Sequence, residues 1–264
     1  MKFLGRSPKR FIFALFSLHY HLIAAIRCII LFRHPLELLY LYFRRQNPTS
    51  NKVELRNGHT LYLSGDSADI VTVYLIFCRH DYGKIDKGTT IVDIGSNIGI
   101  YSLYAAMNGA RVVYAYEPCE ESFNSLQKNI SENNFSEIIK PYNEVVKGLE
   151  SKPVLFPRKS DVMNTLPSGI QGDSELFKYV DVITFQEITK QLPEKAMVKM
   201  DCEGGEFDIV LNSDSSAFNN VSEMRLEYHK GPHELLFSKI KQIGYELSFI
   251  EKGVDAGILW SLKK

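Results

Sequence analysis

The chain has 264 residues, 45% of them hydrophobic and 23% charged, which is enough to fold around a sizeable core. Its formal net charge is zero at pH 7, so it lacks the basic excess of a general nucleic-acid binder, and we predict no nucleic-acid partner. The four cysteines are far apart and form no C-x-x-C pair, which argues against a disulfide framework or a zinc knuckle and favours a reducing, cytoplasmic location.

The first 50 residues form a basic segment with two apolar pieces. They contain eight lysines and arginines against one acidic residue, Glu37. Residues 11–26 carry no formal charge, and residues 35–45 form a second apolar piece that ends on two arginines. A membrane-spanning helix needs about 20 apolar residues, and the first run is shorter than that. Three interpretations stay open for residues 1–45: a helical appendage packed on the rest of the chain, a helix lying on an anionic membrane surface, or a single membrane span.

A polar, proline-containing stretch, QNPTSNK at residues 46–52, predicts a domain boundary near residue 50. Apolar and polar residues then alternate on both sides of Asn57-Gly58, a pattern typical of a β-hairpin. The next segment, residues 67–83, has the composition of a helix that ends at a glycine. The predicted divisions are an N-terminal helical segment at 1–50 and one domain at 51–264, comprising a hairpin and helix at 51–88 and a core at 89–264.

From residue 89 onward, apolar strand patterns alternate with helical patterns. The predicted strands are residues 89–95, 111–118, 136–146, 196–201 and 223–229, followed by a closing antiparallel pair at 246–251 and 257–263. Helical patterns lie between most of them, and residues 148–194 are irregular with short strand-like pieces. This alternation predicts an α/β fold with a Rossmann-like, seven-stranded sheet, mostly parallel, with an antiparallel C-terminal pair.

The turn after the first core strand reads D-I-G-S-N-I-G, from Asp93 to Gly99. In an open parallel sheet, ligands bind beyond the carboxyl ends of the strands, where this turn is expected. Gly95 and Gly99 would let the backbone approach a ligand that a Cβ atom would push away. Glu117 ends the next strand, 22 residues after Gly95, and an acid there can accept both hydroxyls of a ribose. The pattern predicts a nucleoside site, against the alternative that the glycines only make a tight turn.

The glycine spacing and Asp93 indicate which nucleoside. The spacing is G-x-x-x-G rather than the G-x-G-x-x-G of dinucleotide enzymes, and Asp93 would repel a pyrophosphate. A cofactor that carries a sulfonium and an amino acid suits an acidic neighbour better, so we predict S-adenosylmethionine. The predicted cofactor-binding residues are Asp93, Gly95, Ser96, Asn97, Gly99 and Glu117, with Asn143 and Glu144 at the end of the third strand bordering the adenine. A nucleotide-dependent oxidoreductase is the alternative from another enzyme class.

The segments TTIVDIGSNIGIYSLYAA, VYAYEPCEESFNSLQKNI and VKMDCEGGEFDIVLN together resemble the FkbM-like family of S-adenosylmethionine-dependent methyltransferases. The resemblance runs from about residue 67 to residue 229, and its most specific part is K-M-D-C-E-G-G-E. Ser96 and Gly205 depart from the family's usual residues. The resemblance implies a methyltransferase whose acceptor is a sugar or a secondary metabolite, and a pocket contribution from the loop at 161–169. It says nothing about the basic N-terminal segment.

The second loop, K-M-D-C-E-G-G-E, places Asp201, Glu203 and Glu206 before a helix, beside the strand that ends at Gly95. The following strand ends with Glu227 and His229. Methyl transfer to oxygen requires alignment of the acceptor and removal of a proton. We predict Asp201, Glu203 and His229 as catalytic residues, with His229 as the base matched to neutral pH. Two alternatives stay open. Glu206 is a helix cap, or Asp201, Glu203, Glu227 and His229 hold a divalent metal. We assign no metal ligand.

These observations predict an S-adenosylmethionine-dependent methyltransferase that acts on a hydroxyl of a small molecule or glycan, such as a sugar, a glycolipid or a secondary metabolite. Besides the oxidoreductase, the alternative is a catalytically inactive, membrane-tethered protein that keeps the methyltransferase fold.

Overall fold

The computed structural model describes residues 21–149, 152–159, 176–252 and 256–263. The chain divides into two compact units, the first ending at Gly83 and the second beginning at Lys84. Two predictions fall outside the described residues: the pocket loop at 161–169 and the first part of the charge-free run at 11–26. The boundary near residue 50 stays a prediction about domain organisation.

The first unit combines helices with a hairpin. Residues 21–31 are helical (α1), and α2 spans Pro35–Arg44, with the proline at the first helical turn, where its missing N–H costs nothing. Strands β1 (Lys52–Glu54) and β2 (Thr60–Tyr62) pair antiparallel around Asn57-Gly58, which confirms the predicted hairpin.

Helix α3 (Ala68–Val73) follows the hairpin and continues as a π-helix over Tyr74–Arg79. Aromatic contacts join the elements of this unit. Phe32, directly after α1, packs edge-on against Phe77, and Tyr42 stacks on Tyr74 with ring centroids 3.9 Å apart. The Arg27 guanidinium donates to the carbonyl of Cys78 at 3.0 Å, which satisfies one acceptor at the end of the π-helix. In the part of the chain that is described, no helix is long and apolar enough to cross a membrane.

The second unit alternates strands and helices as predicted. Its strands are β3 (Thr90–Ile94), β4 (Val112–Tyr116), β5 (Ile139–Tyr142), β6 (Val145–Lys147), β7 (Val154–Pro157), β8 (Phe177–Val180), β9 (Val182–Thr184), β10 (Ala196–Met200), β11 (Val221–Tyr228), β12 (Tyr245–Lys252) and β13 (Gly257–Lys263). Its α-helices are α4 (Ile100–Met107), α5 (Glu120–Glu132), α6 (Phe185–Gln191), α7 (Gly205–Asn212) and α8 (His233–Gln242), and a 3₁₀ turn covers Ser215–Phe218.

Seven of the described strands form one mixed sheet in the order β12-β13-β11-β10-β3-β4-β5. The pairs β11–β10, β10–β3, β3–β4 and β4–β5 are parallel, and β13 is antiparallel to both of its neighbours. Every residue of β3 and β10 is buried, as expected for central strands covered on both faces. The predicted α/β fold with a seven-stranded sheet is therefore present.

Between β5 and β10, the described residues contain more strands than the irregular sequence pattern predicts. The predicted third strand ends at Tyr142, and β6 pairs instead with β9 in a separate parallel ladder. Strands β7 and β8 form an antiparallel pair. Helix α6 begins with a capping box, in which Thr184 and Glu187 satisfy each other's backbone N–H groups.

Candidate active site

Five parallel strands end at the same edge of the sheet, and the predicted site residues follow those ends. The loop from Gly95 to Gly99 comes after β3, Glu117 after β4, Asn143 and Glu144 after β5, Asp201 and Glu203 after β10, and His229 after β11. Asp93 lies within β3 itself. The fold thus brings residues that are up to 136 positions apart in sequence, from Asp93 to His229, to one edge.

Gly95 is required by the close approach of two strand ends. Its φ angle is +73°, and a Cβ atom built on it would lie 1.9 Å from the carbonyl oxygen of Asp201. The N–H of Asp201 donates to the carbonyl of Ile94 at 3.0 Å, so the end of β10 stays bonded to the end of β3. A side chain at position 95 would separate the two loops of the site.

Gly99 is required for a different reason. Its φ angle is +87°, and a Cβ atom there would lie 2.5 Å from Cδ1 of Leu126 on α5. A close approach that needs a bare backbone here is therefore the one between the start of α4 and Leu126 on α5. The N–H of Gly99 donates to the carbonyl of Ser96 at 2.8 Å, which closes the turn before α4.

Glu117 is buried, and its carboxylate is fixed by two backbone donors. Its Oε2 accepts from the N–H of Asn97 at 2.7 Å, and its Oε1 accepts from the N–H of Cys119 at 2.8 Å. Burial raises the pKa of Glu117 to about 7, although both backbone donors favour the charged form. Glu117 therefore joins the first loop to the end of β4 and titrates near neutral pH.

Asn143 and Glu144 have different surroundings. The Asn143 amide donates to the carbonyls of Glu117 and Pro118, and its oxygen accepts from Lys178 at 2.8 Å. Its polar atoms thus support the loop that carries Glu117. Glu144 Oε2 is buried and has no hydrogen-bond partner among the described residues, and burial raises the pKa of this carboxyl. The amide of Asn143 is thus bonded within the protein, whereas Glu144 Oε2 is open to a hydrogen bond from a ligand.

Asp93 faces a buried lysine. Its side chain is fully buried, with Oδ1 3.1 Å from the Lys199 ammonium and Oδ2 accepting from the Ser102 hydroxyl at 2.6 Å. Lys199 also donates to the carbonyl of Gly95 at 2.9 Å. Burial lowers the pKa of Lys199, but the attraction of Asp93 and Asp201 outweighs burial and the net shift is upward. The carboxylate that the pattern assigns to a cationic cofactor is already paired with Lys199.

The first loop also contains an unsatisfied hydroxyl and an exposed residue. Ser96 Oγ is buried without a hydrogen-bond partner in the described part of the chain. Asn97 is exposed and has a φ angle of +49°, a conformation that asparagine tolerates better than most residues. Its backbone N–H, held by Glu117, is its contribution to the geometry of the site.

His229 lies between two glutamates. Its Nδ1 is 3.2 Å from Oε1 of the buried Glu206, and its Nε2 is 3.3 Å from Oε2 of Glu203. Burial lowers the pKa of His229, but Glu206, Glu203 and Asp201 together raise it to about 9. In this arrangement the ring is an imidazolium at neutral pH, and neither nitrogen has a lone pair to take a proton. The premise that His229 is matched to neutral pH does not apply here.

Glu203 and Asp201 stand beside this histidine. Glu203 has a φ angle of +50°, and its side chain is 39% exposed. Burial of the remainder raises the pKa of the Glu203 carboxyl; His229 opposes this shift, and Asp201 and Glu206 add to it. The Asp201 side chain is 30% exposed, with Oδ2 3.9 Å from the Lys199 ammonium. One potential ligand atom from each of Asp201, Glu203 and His229 lies within 4.8 Å of the other two.

Glu206 does more than cap a helix. Its carboxylate is fully buried and accepts from the backbone N–H groups of Gly204 and His229, both at 2.8 Å, as well as contacting the His229 ring. These bonds tie the loop after β10 to the loop after β11. Burial raises the pKa of Glu206, but the hydrogen bonds from His229 and from backbone N–H groups outweigh burial. The net shift of the pKa is downward, so the Glu206 carboxyl is ionised at neutral pH.

From the sequence, Lys199 has no predicted role, and Glu206 is predicted only as a helix cap. The signal for Lys199 is a lysine inside the apolar strand AMVKM, because a buried lysine needs an acidic partner. In the parallel register Lys199 stands opposite Asp93, which supplies that partner. Glu206 carries no comparable signal, because an acid in the first turn of a helix is common.

The mixed seven-stranded sheet carries the predicted site residues after its parallel strand ends. The sequence pattern described as "Methyltransferase FkbM domain" matches residues 93–249, more than half of the chain. The chain therefore belongs to the FkbM methyltransferase domain family, as the sequence resemblance predicted.

Two sequence relatives match a shorter part of the chain than the family pattern does, and two solved structures match a longer part at lower identity. Two proteins called "Probable histone-arginine methyltransferase CARM1", from Oryza sativa subsp. indica and subsp. japonica, are each 38% identical over 84 residues. This match covers 31% of the present chain and only 15% of each rice protein. Among solved structures, an rRNA methylase from Streptococcus thermophilus has 8% identity and a TM-score of 0.44, covering 68% of this chain and 89% of that one. The tRNA m1G37 methyltransferase of M. jannaschii has 14% identity and a TM-score of 0.45, covering 82% and 58% respectively.

The prediction that the chain has no nucleic-acid partner was wrong as an exclusion. Solved structures similar to this chain include proteins named as rRNA and tRNA methyltransferases. A net charge of zero describes the whole chain, whereas nucleic-acid binding depends on the local distribution of charge. At this level of similarity the likeness concerns the fold and assigns no substrate to this chain.

Proposed function

We propose that this chain is an S-adenosylmethionine-dependent O-methyltransferase that methylates a hydroxyl of a sugar, a glycolipid or a secondary metabolite. The observation that carries the proposal is the carboxylate of Glu117, which is fixed by the N–H groups of Asn97 and Cys119 at the end of β4. An acid at this strand end, in a member of a methyltransferase family, is in the position that binds a ribose.

The hydrogen-bonding capacity of Glu117 supports this role. An ionised carboxylate has about four lone-pair sites, and the two backbone donors occupy one on each oxygen. One acceptor site therefore remains on each oxygen, which matches the two vicinal hydroxyls of a ribose. The backbone bonds also hold the carboxylate in one orientation, so little freedom is lost when a ribose binds.

Two further atoms fit an adenosine cofactor. Ser96 Oγ follows β3 and Glu144 Oε2 follows β5, and both are buried without a hydrogen-bond partner among the described residues. A buried polar atom without a partner is costly, so a ligand that bonds to it gains affinity. These atoms stand on either side of Glu117 in the order of the strands, where a nucleoside along the sheet edge would meet them.

Asp93 has a positioning role in this account. Its carboxylate holds the Lys199 ammonium, and Lys199 in turn donates to the carbonyl of Gly95 at 2.9 Å. This chain of contacts fixes the first residue of the glycine loop from inside the sheet. Asp93 thus supports the loop that meets the cofactor, and Lys199 neutralises its negative charge.

In this proposal the acceptor binds at the loops after β10 and β11. When bound, S-adenosylmethionine supplies an electrophilic methyl group on a sulfonium sulfur, which leaves with the carbon–sulfur electron pair as the oxygen–carbon bond forms. The partly exposed carboxylates of Asp201 and Glu203 orient the acceptor hydroxyl, and one of them takes its proton. The raised pKa of Glu203 brings this carboxylate nearer to the operating pH, which favours it as the proton acceptor. His229, held by Glu206, fixes the position of Glu203.

The proposal is tested by methyl transfer from S-adenosylmethionine labelled in its methyl group. The full chain is incubated with panels of sugars, glycolipids and hydroxylated small molecules, and in parallel with RNA and a histone peptide. We expect label on a hydroxyl acceptor, in an ether linkage that survives mild base. Glu203→Gln should lose most of the rate, and the exposed Glu137→Gln should keep it. Label found only on RNA bases or on arginine would contradict the hydroxyl assignment.

A further inference from the structure

Three potential metal ligands converge at the loops after β10 and β11. Asp201 and Glu203 each offer a carboxylate oxygen and His229 offers a ring nitrogen, all within 4.8 Å of one another. One of these pairs, Nε2 of His229 and Oε2 of Glu203, is 3.3 Å apart. Ligands bonded at about 2.1 Å to one cation stand roughly 3 Å apart when adjacent, so this pair is already at a coordinating separation.

Glu206 gives His229 the orientation of a metal ligand. Its buried carboxylate contacts Nδ1 at 3.2 Å and accepts from the backbone N–H of the same histidine at 2.8 Å. Metal-bound histidines commonly donate their other ring N–H to a carboxylate, which fixes the tautomer and the ring direction. With Nδ1 engaged by Glu206, Nε2 is the nitrogen directed at Glu203. A cation would bind there by displacing the proton from Nε2, and the contact of Nδ1 with Glu206 would remain.

From this arrangement we infer that Asp201, Glu203 and His229 form a binding site for a divalent cation such as Mn²⁺, with Glu206 as the carboxylate that orients His229. A ligand set of two carboxylate oxygens and one imidazole suits a cation of intermediate hardness, whereas Ca²⁺ prefers a site made of oxygen ligands alone. Three protein ligands leave coordination positions for water or for an oxygen of the acceptor.

The cation would give the acceptor site its chemistry. If the proposed function holds, the acceptor is a hydroxyl compound whose oxygen binds the cation, and the cation then lowers the pKa of that hydroxyl. The proton then passes to a carboxylate oxygen of Asp201 or Glu203 that does not bind the cation. A second oxygen of the acceptor, as in a vicinal diol, could occupy a further position and fix its orientation.

A purely structural reading of the cluster is that His229 forms a charged bridge between Glu203 and Glu206. Both readings use the same contacts, but only the cation site places the ring nitrogen on a metal. They differ in a measurement that needs neither S-adenosylmethionine nor an acceptor, so failure of the cation site and failure of the proposed function are distinguishable.

The experiment is a Mn²⁺ titration of the chelator-treated full chain, followed by electron paramagnetic resonance. We expect one bound Mn²⁺ per chain, with electron spin-echo modulation from a directly bound imidazole nitrogen. Glu203→Gln and His229→Gln should each weaken Mn²⁺ binding at least tenfold, as loss of a ligand requires. The exposed Asp214→Asn, on the loop after α7, should bind Mn²⁺ as the parent does.

Each other outcome overturns the inference. Absence of stoichiometric binding in the folded parent would leave the charged bridge as the explanation of the cluster. Binding without nitrogen modulation would place the cation away from His229. Equal weakening in Glu203→Gln and Asp214→Asn would indicate a diffuse response to acidic charge. The spin-echo result is obtained on the parent, so the test does not depend on the folding of any variant.

Discussion

Replacing Lys199 by methionine should destabilise the fold strongly, because it leaves Asp93 buried without its counter-charge. The ammonium and carboxylate are 3.1 Å apart, and both side chains are at most 4% exposed. At an effective dielectric constant of about 20, two unit charges at this distance attract by ~5 kcal/mol. Removal of one partner from such a buried pair costs about 3–5 kcal/mol, and the Ser102 hydroxyl that remains on Asp93 is a neutral donor.

The assay is chemical denaturation of the parent, Lys199→Met, Asp93→Asn and the double variant. The double variant should be less destabilised than the sum of the single variants, since neither charge is then left alone. Lys241→Met, at an exposed position on α8, serves as the matched control and should change stability by no more than ~0.5 kcal/mol. If Lys199→Met unfolds at the same denaturant concentration as Lys241→Met, the buried pair does not stabilise the fold and the reasoning is wrong.

Three further predictions follow from single contacts. Gly95→Ala should lower the free energy of unfolding by at least ~2 kcal/mol more than Gly244→Ala does. Both glycines have a positive φ, but a Cβ atom at Gly95 would also lie 1.9 Å from a backbone atom, and one at Gly244 would meet nothing. Equal losses in denaturation would show that the ends of β3 and β10 are not in contact. The affinity for S-adenosylhomocysteine should rise as the pH is raised through about 7. Burial raises the pKa of Glu117 to about 7, so this carboxyl is protonated below that pH and offers two acceptor oxygens only above it. Calorimetry at several pH values should show the rise in the parent and a flatter profile in Glu117→Gln, and identical profiles would contradict this role of Glu117. Thr184→Ala should lower the free energy of unfolding by about 1 kcal/mol, because it removes the side-chain oxygen that accepts from the N–H of Glu187 at the start of α6. An unchanged melting temperature would contradict the capping box.

The sheet was predictable because each of its strands has a clear local pattern. Apolar runs such as residues 196–200 alternate with helical patterns, and parallel strands joined by helices have few arrangements. The region between β5 and β10 was less accessible, since β6 pairs with β9 across 37 positions, and such short strands carry little periodic signal. The Thr184–Glu187 capping box, by contrast, follows the T-x-x-E sequence pattern that marks a helix start.

The positions of the site residues were predictable, but their electrostatic states were not. Strand ends locate Glu117 and His229, because parallel strands present their carboxyl ends at one edge. The charge that each residue meets depends on its three-dimensional neighbours: Lys199 neutralises Asp93, and two glutamates hold His229 as a cation. A pKa near neutrality belongs to Glu117 instead, through burial that a sequence does not display.

The most direct test of the account is calorimetric binding of S-adenosylhomocysteine to the full chain, beside Glu117→Ala and the exposed control Glu137→Ala. NAD is titrated in parallel. We predict one binding site for S-adenosylhomocysteine in the parent and in Glu137→Ala, its loss in a folded Glu117→Ala, and no binding of NAD. Equal binding in all three proteins would show that Glu117 does not hold the ribose, and binding of NAD in place of S-adenosylhomocysteine would contradict the proposed methyl transfer itself.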